Sequence, residues 1–285
     1  MSVYTFAWIA SITYGLEAVM AKLMNRHAIA NPWLLTFLWN LFILAMIVPI
    51  ALWNGVGVPF HWGYIVAGSL LYAAGSVLFI LALSQLDVSV LTPLFSFRTA
   101  MALLLGAMFL NEVLTAHQYL LVAIIFAFGF LVSVDEKFSP RSFFHWGTAV
   151  ALADMVVLAL LAMCIKKSVA VSGYWDTTLW MALIGQVWLL LAVPLWKADI
   201  LKMTSYQYGA VVIVAIAGVV ADLAANAAYA RNVSLSAAII SLPVSMFIAF
   251  LFSVFAPELL EKHSLKVYTV RFASAAIMVA AALNL

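Results

Sequence analysis

Charged residues are scarce in this chain of 285 residues. Only 8% of its residues are charged, whereas 67% are hydrophobic and the mean hydropathy is +1.16. A soluble domain carries about 25% charged residues, so the composition excludes a water-soluble globular domain. A net charge of +2 and the lack of a basic tract argue against a nucleic-acid partner. The environment that fits this composition is the lipid bilayer.

Residues that hold metals or perform nucleophilic catalysis are also few. Cys164 is the single cysteine, which excludes an intrachain disulfide and a cysteine-based metal cluster. The five histidines lie in loops or at the ends of apolar runs, and no HExxH, GxSxG or phosphate-loop motif occurs. We therefore expect no metal and no cofactor, and we predict that the chain is not an enzyme.

The sequence is dominated by apolar runs about 20 residues long, the length of a helix that crosses a hydrocarbon core of roughly 30 Å. The runs predict an all-α integral membrane protein with ten transmembrane helices. Short connections leave no room between them for a soluble domain. The predicted spans are 3–23, 33–53, 63–84, 90–110, 115–134, 145–165, 175–196, 207–230, 235–256 and 267–284.

The fourth span and its flanks recur in the second half of the chain. Val88-Ser89 matches Val233-Ser234 at an offset of 145, and the pair Glu112 and His117 matches Glu258 and His263 at an offset of 146. We therefore predict two five-helix repeats, residues 1–134 and 145–285, joined by a linker at 135–144.

A repeat of five spans has a consequence for topology. Because five is odd, the two copies enter the membrane from opposite sides and form an inverted repeat. This arrangement is typical of secondary transporters, whose site lies near the membrane midplane between the copies.

Basic residues predict an orientation for the chain. Counted in chain order, the odd-numbered loops hold eight Lys and Arg residues and the even-numbered loops hold three. The positive-inside rule places the odd loops in the cytoplasm and both termini outside.

Four ionisable side chains interrupt the spans within roughly 6 Å of the midplane: Glu17, Arg98, Asp154 and Asp222. A charge at this depth costs at least about 2.5–3.5 kcal/mol, so each is a candidate for function. One alternative is that Arg98 only pairs with one acid as a structural ion pair. Since three acids face one base, two carboxylates would still need protons, water or a bound cation.

Polar neighbours at helical spacing complete the candidate site. Tyr14 accompanies Glu17, Asn226 accompanies Asp222, and Tyr72 lies among small residues in span three. Pro243 predicts a kink in span nine, where span four carries Arg98 at nearly the equivalent position. The predicted substrate-binding residues are Tyr14, Glu17, Tyr72, Arg98, Asp154, Asp222 and Asn226.

These features resemble the EamA-type members of the drug/metabolite transporter superfamily. That family has two five-span repeats, each with a G-E-x-L-[ST] signature after its fourth span. The corresponding segments here are Asn111-Glu112-Val113-Leu114-Thr115 and Pro257-Glu258-Leu259-Leu260-Glu261, and Tyr14-Gly15 followed by Lys22 is similar to the W-G and lysine pattern of the family's first span. The resemblance implies export of metabolites across a prokaryotic cytoplasmic membrane, with termini inside, opposite to the loop charges.

Two functional hypotheses follow. In the first, a secondary transporter moves a zwitterion such as an amino acid, with Arg98 on the carboxylate, Asp222 or Asp154 on the ammonium, and protons as a coupling ion. In the second, protons exchanged at Glu17 drive the efflux of organic cations, by analogy with the small multidrug resistance transporters. An intramembrane enzyme would need a nucleophile and a base at one depth, which no histidine, cysteine pair or serine–histidine set within the spans supplies. A passive channel or a lipid scramblase would not need three buried acids. No oligomeric state follows from the sequence.

Overall fold

The computed structural model describes residues 2–110, 115–132, 145–256, 258–260 and 263–284. Helices are the only regular secondary structure in these residues, which confirms the all-α prediction. The predicted linker at 135–144 and the signature residue Glu112 lie outside the described residues.

Thirteen α-helices account for most of the described chain, with a 3₁₀ turn at Leu190–Ala192 between α8 and α9. They are α1 (Val3–His27), α2 (Pro32–Trp53), α3 (Gly63–Gln85), α4 (Val88–Leu94), α5 (Ser96–Leu110), α6 (Ala116–Val132), α7 (Trp146–Ser172), α8 (Tyr174–Leu189), α9 (Val193–Ile200), α10 (Ser205–Arg231), α11 (Val233–Ile240), α12 (Val244–Phe255) and α13 (Leu265–Leu283).

Nine helical segments in the described residues are long and apolar enough to cross a membrane. Three of these segments combine two helices each, namely α4 with α5, α8 with α9, and α11 with α12. Helix α6 is apolar but has 17 described residues. The chain is therefore a multi-pass membrane protein, and the count of ten spans stays a prediction.

Contacts between loops define two opposite ends of the bundle. At one end the Asn31 amide donates to Asp199 Oδ2 at 2.7 Å, and Lys22 Nζ donates to the Leu86 carbonyl at 2.9 Å. We call this end the odd-loop face, since it joins the first, third and seventh loops. At the other end, the even-loop face, the Gly57 N–H donates to Asp176 Oδ1 at 2.8 Å.

The contacts between the two halves follow the pattern that an inverted repeat would produce. The most extensive pairs are α3 with α7, α1 with α10, and α6 with α13. If the two halves are exchanged, α1 corresponds to α7, α3 to α10, and α6 to α13. The contact of α3 with α7 then becomes the contact of α10 with α1, and the contact of α6 with α13 is unchanged. The division into two repeats remains a prediction that this packing supports.

The fourth and ninth spans are both interrupted near the middle. Pro93 has no N–H to donate, and i→i+3 bonds from Phe95 to Thr92 (3.1 Å) and from Arg98 to Phe95 (3.0 Å) replace helical bonds around it. Pro243 separates α11 from α12, as predicted. The sequence predicted the kink at Pro243 but not the break that Pro93 introduces into the equivalent span of the first half.

The loop charges generate a prediction about orientation. A reporter fused after Leu285 should be active outside the cytoplasm, since the basic odd-loop face is retained inside during insertion. The same reporter inserted in the odd loop at 201–204 is the control and should be cytoplasmic. Cytoplasmic activity of the terminal fusion would contradict the charge-based orientation.

Candidate functional site

A cavity lies at the centre of the bundle between the two halves. About 160 Å³ of it is available to the centres of water-sized molecules, and one water needs roughly 10–15 Å³ on this measure. The cavity therefore has room for a small organic molecule. Its wall is formed by α1, α2, α3, the break between α4 and α5, and by α7, α8, α10, α11 and α12.

Asp222 on α10 faces this cavity and is held by two phenols. Tyr14 Oη donates to Asp222 Oδ1 at 2.7 Å, and Tyr72 Oη donates to Oδ2 at 3.2 Å. In the part of the chain that the structure describes, no Lys, Arg or His nitrogen lies within 4.0 Å of this carboxylate. The two donors are neutral, so an ionised Asp222 presents a negative charge that no cationic side chain among the described residues neutralises by direct contact.

Arg98 provides a positive charge in the same cavity. It lies just after the helix break, donates from Nη2 to the Tyr229 hydroxyl, and holds its guanidinium carbon 4.8 Å from the centroid of the Tyr229 ring. No described carboxylate oxygen lies within 4.0 Å of it. The structural ion pair considered from the sequence is therefore not formed with any described acid.

Glu17 on α1 occupies a space that a glycine leaves open. A Cβ atom at Gly218 on α10 would collide with Glu17 Oε1 and would lie 3.0 Å from Trp39 Nε1. The indole lies beside the carboxyl group, but its N–H does not meet hydrogen-bond geometry in this conformation. The absence of a side chain at Gly218 thus lets a buried carboxyl group and an indole share one part of the cavity wall.

Asn226 lies one turn after Asp222 on the same face of α10. Its amide Nδ2 is 3.5 Å from Thr178 Oγ1, and both residues line the cavity. This contact lies at the limit of hydrogen-bond distance, so the amide is available to a ligand at little cost.

Asp154 is placed differently from the other six predicted residues. It does not line the cavity, its side chain is 0% exposed, and neither carboxyl oxygen has a hydrogen-bond partner in the described residues. Gly75 on α3 lines the cavity and lies next to Asp154, since a Cβ at Gly75 would lie 3.5 Å from Asp154 Oδ1. In this conformation Asp154 is therefore close to the cavity wall but does not line the cavity.

Sequence reasoning left three polar side chains out of the candidate sets. Tyr229 and Trp39 both line the cavity, and Tyr229 follows Asp222 by seven residues, which puts both on one helix face. That spacing was a signal for Tyr229, whereas nothing in the sequence distinguished Trp39 from a lipid-facing residue. Arg271 is buried in α13 near its start. Because the charged candidates were chosen for their closeness to the membrane midplane, Arg271 was not among them.

Comparison with known proteins identifies a family for the first half of the chain. The model of the EamA-like transporter family matches residues 1–134. No match was found among the curated proteins. Among solved structures, 28 chains match; one is a crystal structure with 17% identity and a TM-score of 0.63 that covers 99% of this chain and 98% of that chain. At that identity the likeness shows a shared fold alone.

The role of Gly218 can be tested by adding one methyl group. Gly218→Ala should lower the melting temperature of the protein in detergent, with a cost of about 1–3 kcal/mol for overpacking against Glu17 and Trp39. Gly209→Ala is the matched control, because it lies on the same helix with nothing within 4 Å of its Cβ position. It should stabilise the helix by roughly 0.5–1 kcal/mol. Equal effects of the two substitutions would contradict the close approach at Gly218.

Proposed function

Residues 1–134 match the model of the EamA-like transporter family, and from this premise we propose that the chain is a secondary transporter of a small zwitterion such as an amino acid. The substrate binds in the central cavity between the two halves. The Arg98 guanidinium contacts its carboxylate, and the Asp222 carboxylate contacts its ammonium group. Asn226 and the Asp222-bound phenols of Tyr14 and Tyr72 complete the polar part of the site.

The observation that carries this proposal is the presence of two opposite charges, unpaired with each other, in one cavity. Both oxygens of Asp222 accept hydrogen bonds from neutral phenols, and the guanidinium of Arg98 donates one to a neutral phenol. Charges without a direct counter-ion in a membrane interior are costly, and a zwitterion supplies one counter-charge to each. Binding such a substrate therefore neutralises both ends of the site at once.

The packing of the halves supports alternating access as the mechanism. Helices from both halves form the cavity wall, and the breaks in the fourth and ninth spans lie beside it. Transporters of this general design move one half against the other around a fixed central site. We propose that this one exports its substrate across the cytoplasmic membrane of a prokaryote.

A second function, efflux of organic cations driven by protons, is favoured by a different observation. Two carboxyl groups, Glu17 and Asp222, line the cavity against one guanidinium, and the aromatic rings of Tyr14, Tyr72 and Trp39 lie beside them. Aromatic faces and a carboxylate together suit an organic cation. In this reading Arg98 makes no contact with substrate.

Replacing Arg98 separates the two functions. Arg98→Lys loses the planar fork that contacts a carboxylate through two parallel bonds, so it should weaken amino-acid binding by about 1–3 kcal/mol. Binding of the decarboxylated amine analogue should change little. The measurement is the Kd of both compounds for purified protein, after size-exclusion chromatography has shown that the variant is folded.

Arg231→Lys is the matched control, since Arg231 lies at the even-loop end of α10 and donates to the Ala227 carbonyl rather than lining the cavity. It should bind both compounds as the unaltered protein does. If the amino acid and its amine analogue bind with equal affinity to the unaltered protein and to Arg98→Lys, the zwitterion proposal is wrong.

Proton coupling is tested at Glu17. The Glu17→Gln variant keeps the shape of the side chain but cannot release a proton, so uptake driven by a pH gradient in proteoliposomes should be lost while substrate exchange without a gradient continues. Glu258→Gln, at an exposed position on the odd-loop face, should retain both activities. Unchanged gradient-driven uptake in Glu17→Gln would move the coupling role away from Glu17.

A further inference from the structure

A group of charged side chains joins the two halves at the odd-loop face. His263 Nε2 lies 2.7 Å from Asp87 Oδ2, and Arg271 Nη2 lies 3.6 Å from the same oxygen. Arg271 also donates to Ser89 Oγ. Because Asp87 and Ser89 belong to the first half and the other two residues to the second, these contacts hold the third loop against the ninth. We call Asp87, His263 and Arg271 the Asp87 latch.

The side chain of Asp87 does not cap the helix that follows it. It is the N-cap residue of α4, yet its side chain makes no capping bond. Its counterpart in the sequence repeat, Asn232, does cap α11 by accepting from the Leu235 N–H at 3.0 Å. A capping bond of this kind contributes about 1 kcal/mol. In the first half the Asp87 carboxylate therefore makes no capping bond to α4 and instead contacts His263 and Arg271 of the second half.

The surroundings of Asp87 keep its carboxylate charged. Burial raises its pKa, but the hydrogen bond with His263 and the positive charges of Arg271 and Lys22 lower it, and the net result is a pKa below the ordinary value. A lowered pKa means that the contribution of this carboxylate to stability is present above the pKa of the unfolded chain. The contribution is lost only as the pH falls through the lowered value. The Asp87 carboxylate is thus charged at neutral pH and can hold Arg271 and His263.

The opposite face has no equivalent group of charges at the corresponding positions. At the repeat offsets of 145 and 146, Asp87 corresponds to Asn232, His263 to His117, and Arg271 to Ile125. Asn232 and Ile125 are uncharged, and His117 is exposed. The two faces therefore differ in a way that a symmetric pair of repeats would not require.

The cavity wall reaches towards the even-loop face on some helices and towards the odd-loop face in the fourth span, where Thr92 and Phe95 line it. On α7 its wall runs from Leu158 to Ile165, and on α10 from Asp222 to Tyr229, which in both helices is the half nearer the even-loop face. Asp87 precedes the cavity residue Thr92 by five residues at the start of α4, so the latch lies on the odd-loop side of the cavity.

We propose that the Asp87 latch holds the odd-loop face closed and must break for the cavity to open to that side. The proposal rests on the transport function proposed above, since only a transporter has to expose the site to both sides in turn. Asp87, His263 and Arg271 are positioning residues in this account and do not contact substrate. Weakening the latch shifts the population towards the state that is open at the odd-loop face.

The test measures access to the cavity from each side without any substrate. A reporter cysteine replaces the cavity residue Ser76 in a Cys164→Ala background, and a membrane-impermeant thiol reagent is applied to each face of reconstituted vesicles. Lys197→Cys and Lys166→Cys, at exposed positions of the odd-loop and even-loop faces, establish the orientation. With the latch intact, labelling should come mainly from the even-loop face.

Asp87→Asn should increase the labelling rate from the odd-loop face roughly tenfold, the factor expected for losing one charged hydrogen bond. His263→Asn removes the same contact and should act alike, with no further increase in the double variant. If Asp87→Asn is not monodisperse, the labelling rate of His263→Asn decides the test. Asp176→Asn, which neutralises a carboxylate at the even-loop face, is the matched control and should leave odd-loop labelling unchanged.

Unchanged odd-loop labelling in the folded latch variants would overturn the proposal, as would an equal increase in Asp176→Asn. Equal labelling from both faces with the latch intact would also overturn it. Because the readout needs no substrate, failure of the zwitterion proposal would leave these rates as predicted.

Discussion

A carboxylate at the middle of a membrane-spanning bundle costs free energy unless donors or a cation compensate for its lost hydration. Asp222 meets this constraint with the neutral hydroxyl groups of Tyr14 and Tyr72, and Arg98 meets it with the hydroxyl and ring of Tyr229. Phenols stabilise each charge without cancelling it. The site can therefore keep a positive and a negative group for a ligand, which direct pairing of Arg98 with an acid would prevent.

The backbone around the cavity supports this arrangement. Proline interrupts the fourth span at Pro93 and the ninth at Pro243, and the first interruption positions Arg98 at the cavity wall. Gly218 and Gly75 leave room where side chains from facing helices approach, Gly218 beside Glu17 and Gly75 beside Asp154. The charged groups are held by features of several helices, so their geometry depends on the packing of the two halves.

The sequence predicted the all-α membrane fold because apolar runs of membrane length have few alternatives in a chain with so little charge. It also predicted that Glu17, Asp222 and Arg98 share one depth, since depth follows from the number of residues into a span. Side-chain partners could not be predicted in this way. The choice of Tyr229 over a carboxylate for Arg98, and the burial of Asp154 outside the cavity lining, depend on helix rotation and packing, which spacing along a single helix does not determine.

Substrate exchange in proteoliposomes tests the central claim most directly. The protein is reconstituted with a labelled amino acid inside, and three external compounds are compared at equal concentration: the amino acid, its decarboxylated amine and its deaminated acid. If Arg98 and Asp222 each bind one charge of the substrate, the amino acid drives exchange and each singly charged analogue loses most of it. Exchange by the amine at the rate of the amino acid would contradict the account, because Arg98 would then contribute nothing to substrate binding.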